Sequence, residues 1–192
     1  MSDGLQQLWR DQPLTAPTVD LEALRGRAER FRKGIQRRNV VETIAAVFVA
    51  TFMPYLAFDA GEEMPLLSRV GLALAAPGAL FVIVYLWRRG AAGAHPDPSL
   101  SVSEHQAALR VALGRQAELM DRAWLWYVGP LLPVLVLFNA GLVVDLLRRP
   151  AAPVAGLILG LVIATQLGFL VFIVRANRIG ARRLRSEMTL LE

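Results

Sequence analysis

Residues 154–174 read VAGLILGLVIATQLGFLVFIV, an apolar run of 21 residues that contains no charged side chain. A helix of about 20 residues, rising ~1.5 Å per residue, crosses the ~30 Å hydrocarbon core of a bilayer. This run therefore predicts a transmembrane helix.

Three further runs of similar length lie N-terminal to it, at residues 40–58, 70–87 and 124–147. Helix is the expected conformation for each, because lipid offers no hydrogen-bond partner to an unpaired strand edge. Prolines inside these runs, which would break soluble helices, are expected to cause kinks: Pro54, Pro77, Pro130 and Pro133. The predicted fold class is all-α, a polytopic membrane protein with four transmembrane helices and short cytoplasmic amphipathic helices.

Composition fits this class. Hydrophobic residues make up 55% of the chain, and the mean hydropathy is +0.43. The net charge of +5 does not indicate nucleic-acid binding, because the arginines flank the apolar runs. The chain has no cysteine, which excludes disulfides and thiolate metal sites. We expect the first apolar run to stay in the membrane as an anchor, since some forty mostly polar residues precede it.

The distribution of basic residues predicts the orientation. Seventeen arginines and lysines lie in residues 25–38, 88–122 and 175–185, whereas three arginines lie in the two turns on the other side. Basic flanks are retained in the cytoplasm, so both termini are expected there, in a multi-pass protein of the bacterial inner membrane. Five aromatic residues are then expected at the cytoplasmic interface: Tyr85, Trp87, Trp124, Trp126 and Tyr127.

This orientation divides the chain into five segments. Residues 1–39 form a cytoplasmic segment with an amphipathic helix at 20–38, and residues 40–87 form the first transmembrane hairpin. Residues 88–123 form a cytoplasmic linker and helix, and residues 124–174 the second hairpin. Residues 175–192 form a cytoplasmic helical tail.

The first cytoplasmic helix carries an apolar seam with the spacing of a helix contact: Leu21, Leu24, Ala28, Phe31 and Ile35. The second begins at Ser101, whose spacing to Glu104 matches a capping box. The tail repeats the seam spacing from Ala181 to Leu191. These segments could pack together or with another copy, bind a distinct protein, or lie on anionic lipid.

Three polar residues inside the spans need an explanation, because burying them in lipid is costly. Glu42 lies four residues after Arg38, which predicts an ion pair at headgroup level. Asn139 and Gln166 lie deeper, at similar depth, and predict a hydrogen bond between two helices. The alternative is a polar path for a solute or proton.

The fourth span has a small residue at every fourth position: Gly156, Gly160, Ala164 and Gly168. Such a stripe lets another helix approach closely. We expect it to pack within the chain; a homodimer contact is the alternative.

No catalytic, metal or nucleotide motif is present. His95 and His105 have no ligand spacing around them, and phosphate loops, nucleophile elbows and zinc-binding helices are missing from the sequence. We therefore expect no enzyme activity, no metal and no cofactor.

Three stretches carry a resemblance: LWRDQP at residues 8–13, RRNVVE at 37–42 and WLWYVGP at 124–130. With them the chain resembles small uncharacterised four-span inner-membrane proteins of proteobacteria. The resemblance implies the fold and the location, but no activity and no functional residues.

The functional hypothesis is a non-enzymatic scaffold or regulatory module whose cytoplasmic seams contact another copy or a protein partner. The alternative is a small transporter or channel subunit, with Glu42, Asn139 and Gln166 along its path.

Overall fold

The computed structural model describes residues 21–91, 99, 101–148 and 153–191, and these form helices and turns with no strand among them. In chain order the helices are α1 (Leu21–Asp59), α2 (Leu66–Ala73), α3 (Ala75–Arg89), α4 (Val102–Asp121), α5 (Leu132–Arg148) and α6 (Pro153–Thr189). The predicted segment before Leu21, the linker around His95 and the turn at 149–152 lie outside the described residues.

Four helical stretches are long and apolar enough to cross a membrane: Leu21–Asp59, Leu66–Arg89, Trp124–Arg148 and Pro153–Thr189. They contain the four predicted spans. The all-helical class and the number of candidate spans are therefore confirmed, and they suggest a multi-pass membrane protein.

The first and last helices are longer than their apolar runs. α1 has 39 residues and α6 has 37, so each would extend well beyond a ~30 Å hydrocarbon layer. Residues 21–38 of the predicted amphipathic helix and residues 175–189 of the predicted helical tail are continuous with the neighbouring spans and are not separate elements. The reason is local: neither junction contains a proline, so the backbone hydrogen bonds continue without interruption.

The second stretch is interrupted at Leu74, between α2 and α3. Pro77 has no N–H to donate to the carbonyl of Ala73, four residues earlier. The helix resumes as the N–H of Gly78 donates to the carbonyl of Leu74 at 3.2 Å. The interruption at Leu74 is one helical turn before Pro77, where the sequence predicts a kink.

The third stretch is interrupted in the same way. A π turn at Trp124–Val128 and a 3-10 turn at Gly129–Leu131 separate α4 from α5, and Pro130 lies in the second of these turns. By contrast, Pro54 lies inside α1 without ending that helix.

α2 and α5 are packed closely through small residues. The Ser68 hydroxyl donates to the carbonyl of Phe138 at 2.8 Å. A Cβ at Gly71 would lie 2.6 Å from the backbone nitrogen of Phe138, and a Cβ at Gly141 would overlap Ser68. The two glycines therefore permit a backbone approach that no larger residue would allow.

α6 has a different environment. It packs mainly along α4, and only a short part of it meets α5. No residue in the most apolar 18-residue stretch of α6 is buried. Among the described residues, nothing lies within 4 Å of a Cβ built at Gly156, Gly160 or Gly168. The prediction that this stripe packs within the chain is therefore wrong, because the fourth span lies at the edge of the bundle. The alternative, a homodimer contact, stays a prediction.

The glycines allow a matched test of this packing. Gly71→Ala should lower the free energy of unfolding by about 1–3 kcal/mol, because the new methyl group meets backbone rather than a movable side chain. The control, Gly156→Ala, adds the same methyl group where nothing is within 4 Å. It should leave stability unchanged or raise it by up to ~1 kcal/mol. Thermal unfolding of the purified variants in detergent measures both; equal unfolding temperatures would contradict the close α2–α5 contact.

Candidate functional site

Two buried amide side chains meet where α1, α3 and α4 come together. Asn39 is 2% exposed and Gln116 is 3% exposed. Both donate to the carbonyl oxygen of Gly90, the residue that ends α3, at 2.9 and 3.3 Å. One backbone carbonyl thus holds three helices together, and we call this cluster, with Arg38 and Glu42, the polar junction.

Arg38 completes the polar junction. One guanidinium nitrogen lies 3.3 Å from the side-chain oxygens of both Asn39 and Gln116. Its Nε lies 3.6 Å from Oε1 of Glu42, one helical turn further along α1. This is the ion pair predicted from the sequence. Its position beside two amides explains how a charged pair is accommodated next to an apolar run.

Aromatic residues lie at the same end of the spans as the polar junction, and one of them is hydrogen-bonded to it through Thr43. The indole N–H of Trp87 donates to the Thr43 hydroxyl at 2.9 Å, and that hydroxyl donates to the carbonyl of Asn39 at 2.7 Å. Tyr85 stacks on Trp126 with ring centroids 5.2 Å apart. These aromatic side chains share the arginine-rich end of the spans, where interfacial aromatic residues are expected.

The polar junction has the chemistry of a clamp. Its amides and its guanidinium hydrogen-bond to each other or to Gly90, and the Glu42 carboxylate faces a guanidinium. The arrangement holds α3 against α1 and α4. Within the described ranges, no group of three His, Asp or Glu side chains could hold a metal ion.

A groove with a volume of about 410 Å³ runs beside the polar junction, between α1 and α4. Its walls are mainly apolar, with Phe31 and Ile35 on α1, and polar side chains occur at Arg32, Arg115 and His105. His105 is buried, and its Nδ1 lies 3.2 Å from the carbonyl oxygen of Ser101. The polar contact of His105 is therefore with the backbone of the first turn of α4.

α4 begins with the predicted capping box, which Ser101 and Glu104 form. The Ser101 N–H donates to Glu104 at 2.8 Å, and the Glu104 N–H donates to the Ser101 hydroxyl at 3.4 Å. The hydrogen bonds from the Ser101 side chain and backbone lower the pKa of Glu104 below its ordinary value. The cap fixes where α4 begins, and thus the register of Gln116 opposite Gly90.

The predicted seam is closed within the chain. Leu24 is buried in a cluster with Leu109 and Leu113 of α4. Other side chains of α1, of α6 and of the turn that follows α6 pack against this cluster: Ala28, Phe31, Leu184, Met188 and Leu191. The sequence left open whether the apolar seams pack together, bind another protein or lie on lipid. In the structure, they pack together. We call this assembly of α4 with the polar ends of α1 and α6 the polar bundle.

Asn139 and Gln166 form the predicted hydrogen bond. The Asn139 amide donates to Oε1 of Gln166 at 2.7 Å and to the carbonyl oxygen of Leu135 at 2.7 Å. This bond joins α5 to α6. Glu42 belongs to the polar junction on α1, which packs mainly on α2, α3 and α4. The structure therefore does not bring together the three polar residues that the sequence predicts to lie in the membrane.

Asn39 and Gln116 were not singled out from the sequence. A signal for Gln116 exists, because it continues the three- and four-residue spacing of Leu109 and Leu113 on the buried face of α4. A neutral amide on an apolar seam requires a hydrogen-bond partner. Asn39 has no such pattern, because its partner Gly90 is 51 residues away.

Replacing Gln116 tests the polar junction. Gln116→Leu leaves the Gly90 carbonyl with one amide donor fewer and removes an acceptor from Arg38. It should lower the free energy of unfolding by about 1–3 kcal/mol. Gln36→Leu is the matched control, because it makes the same substitution at an exposed glutamine on the polar part of α1. Thermal unfolding in detergent compares the two; a Gln116→Leu protein as stable as the control would contradict the clamp.

No family model matches the chain, and comparison with curated proteins and with solved structures found no similar protein.

Proposed function

We propose that this protein is a non-enzymatic scaffold or regulatory module of the bacterial inner membrane, with both termini in the cytoplasm. The observation that supports this most is the connection between its two parts. α1 and α6 run unbroken from apolar spans into the polar bundle, and the polar junction ties α1, α3 and α4 at the boundary. A displacement of the spans would therefore move the polar bundle as well.

The seam residues are not the partner surface in this proposal. Leu24 is buried in the polar bundle and Phe31 packs against the same cluster, so charged substitutions there would disrupt the fold together with any complex. The outward surface instead carries exposed basic side chains, such as Arg30 on α1 and Arg183 on α6. A partner would contact this charged outer face, which favours an acidic protein surface.

The alternative of a transporter or channel receives less support. Asn139 and Gln166 hydrogen-bond to each other, and Glu42 faces Arg38 in a separate cluster. A solute path needs polar groups that line a shared cavity, and these three residues are distributed over two separate contacts.

Site-specific photocrosslinking tests the proposal. A benzophenone amino acid at Arg30 or Arg183 should give a discrete protein adduct in native membranes, because both positions face outward from the polar bundle. The control position is Leu161, which is 69% exposed on the apolar part of α6 and should give adducts with lipid or with a second copy of the chain, but not the adduct of the bundle positions. The proposal fails if neither bundle position yields a protein adduct, or if Leu161 yields the same adduct.

A further inference from the structure

A second concave site lies between the end of α3 and the C-terminal half of α4. This cavity, of about 450 Å³, is lined by residues that include Tyr85, Arg88, Arg89, Arg115, Leu119 and Arg122. We call it the basic pocket. It adjoins the groove between α1 and α4, with which it shares Ala91 and Arg115, and the proposed scaffold role does not depend on it.

The basic pocket has an excess of positive charge. Its lining has four arginines and one acid, Glu118, which pairs with Arg122 at 2.7 Å. In the part of the chain that the structure describes, Arg88, Arg89 and Arg115 have no ion pair. These three arginines are exposed, and cationic side chains that line one concave surface repel each other and raise the local concentration of anions.

Helix capping does not account for all of these arginines. Arg88 and Arg89 lie in the last turn of α3, where basic side chains can serve the free carbonyls. However, the Gly90 carbonyl already accepts two amide hydrogen bonds, and the Leu86 carbonyl accepts from the Gly90 N–H at 2.7 Å. Arg115 lies inside α4, more than one turn from its end at Asp121. Binding of an anion explains all three positions.

The lining of the basic pocket and its position at the end of an apolar run indicate which kind of anion it would bind. Planar guanidinium groups match phosphate oxygens with two parallel hydrogen bonds. Leu119 is 6% exposed and Tyr85 is half-buried against Trp126, so the pocket has an apolar wall next to its arginines. The apolar run of α3 ends directly before Arg88, at the depth where lipid headgroups would lie. We propose that the basic pocket binds the phosphate headgroup of an anionic phospholipid, with Arg88, Arg89 and Arg115 as phosphate-binding residues.

The test counts lipids bound to the purified full-length protein in a neutral detergent by native mass spectrometry. Phosphatidylglycerol should bind at one site, and phosphatidylcholine should not. The triple variant R88Q/R89Q/R115Q should weaken phosphatidylglycerol binding at least about tenfold. The control R178Q/R182Q/R183Q removes the same charge from exposed positions on α6, and its affinity should stay within about twofold of the wild type.

Three results would overturn the proposal. They are equal binding of the neutral lipid, an equal loss of affinity in the α6 control, and displacement of phosphatidylglycerol by millimolar inorganic phosphate or glycerol phosphate. The last result would assign the pocket to a soluble phosphate instead.

A charge-preserving variant covers the case in which the glutamine variant does not fold. R88K/R89K/R115K keeps the charge but loses the planar fork, so it should bind phosphatidylglycerol more weakly than the wild type. A phosphatidylglycerol with a photoreactive headgroup should label α3 or α4 in the wild type and label this variant less. Undiminished affinity together with labelling outside these helices would contradict the site.

Discussion

Peptide groups in a hydrocarbon layer can hydrogen-bond only to protein, and the four apolar stretches of this chain meet that constraint. Four apolar stretches are long enough to span such a layer, and each is helical, so its backbone is paired within the stretch. The exceptions have identifiable causes. Pro77 and Pro130 remove backbone donors, and each lies at or beside a helix interruption. The Ser68 hydroxyl reaches a backbone carbonyl of α5 because Gly71 and Gly141 let the two helices approach closely.

The polar bundle and the apolar part form one connected structure. Packing of Leu24 on Leu109 and Leu113 holds α1 against α4, and the tail of α6 covers the same cluster. At the boundary, Asn39, Gln116 and Arg38 share hydrogen bonds around the end of α3. Buried amides of this kind favour one helix register over its neighbours, because a shift would leave their polar groups unpaired. In the proposed function, this register transmits a change from the spans to the polar bundle.

Features that depend on short-range chemistry were predictable from the sequence. These include the four candidate spans, the capping box at Ser101 and the Arg38–Glu42 pair. The Asn139–Gln166 bond was also predictable, because two amides at nearby depths within apolar helices have few other partners. Long-range features were not predictable. The pairing of α2 with α5 through Gly71 and the use of Gly90 by Asn39 depend on which helices are neighbours, and the sequence does not encode this in any local spacing. The stripe from Gly156 to Gly168 has the pattern of a packed face, yet α6 lies at the edge of the bundle.

Cysteine accessibility tests the proposed membrane topology most directly, since the natural chain has no cysteine to remove. Single cysteines would replace Glu62 in the first turn, Leu161 in the fourth span and Ser186 in the polar bundle. With a membrane-impermeant maleimide on intact cells, Glu62→Cys should be labelled, Ser186→Cys only after the membrane is opened, and Leu161→Cys in neither condition. Labelling of Ser186→Cys in intact cells would contradict the cytoplasmic polar bundle. Ready labelling of Leu161→Cys after opening would contradict the transmembrane span.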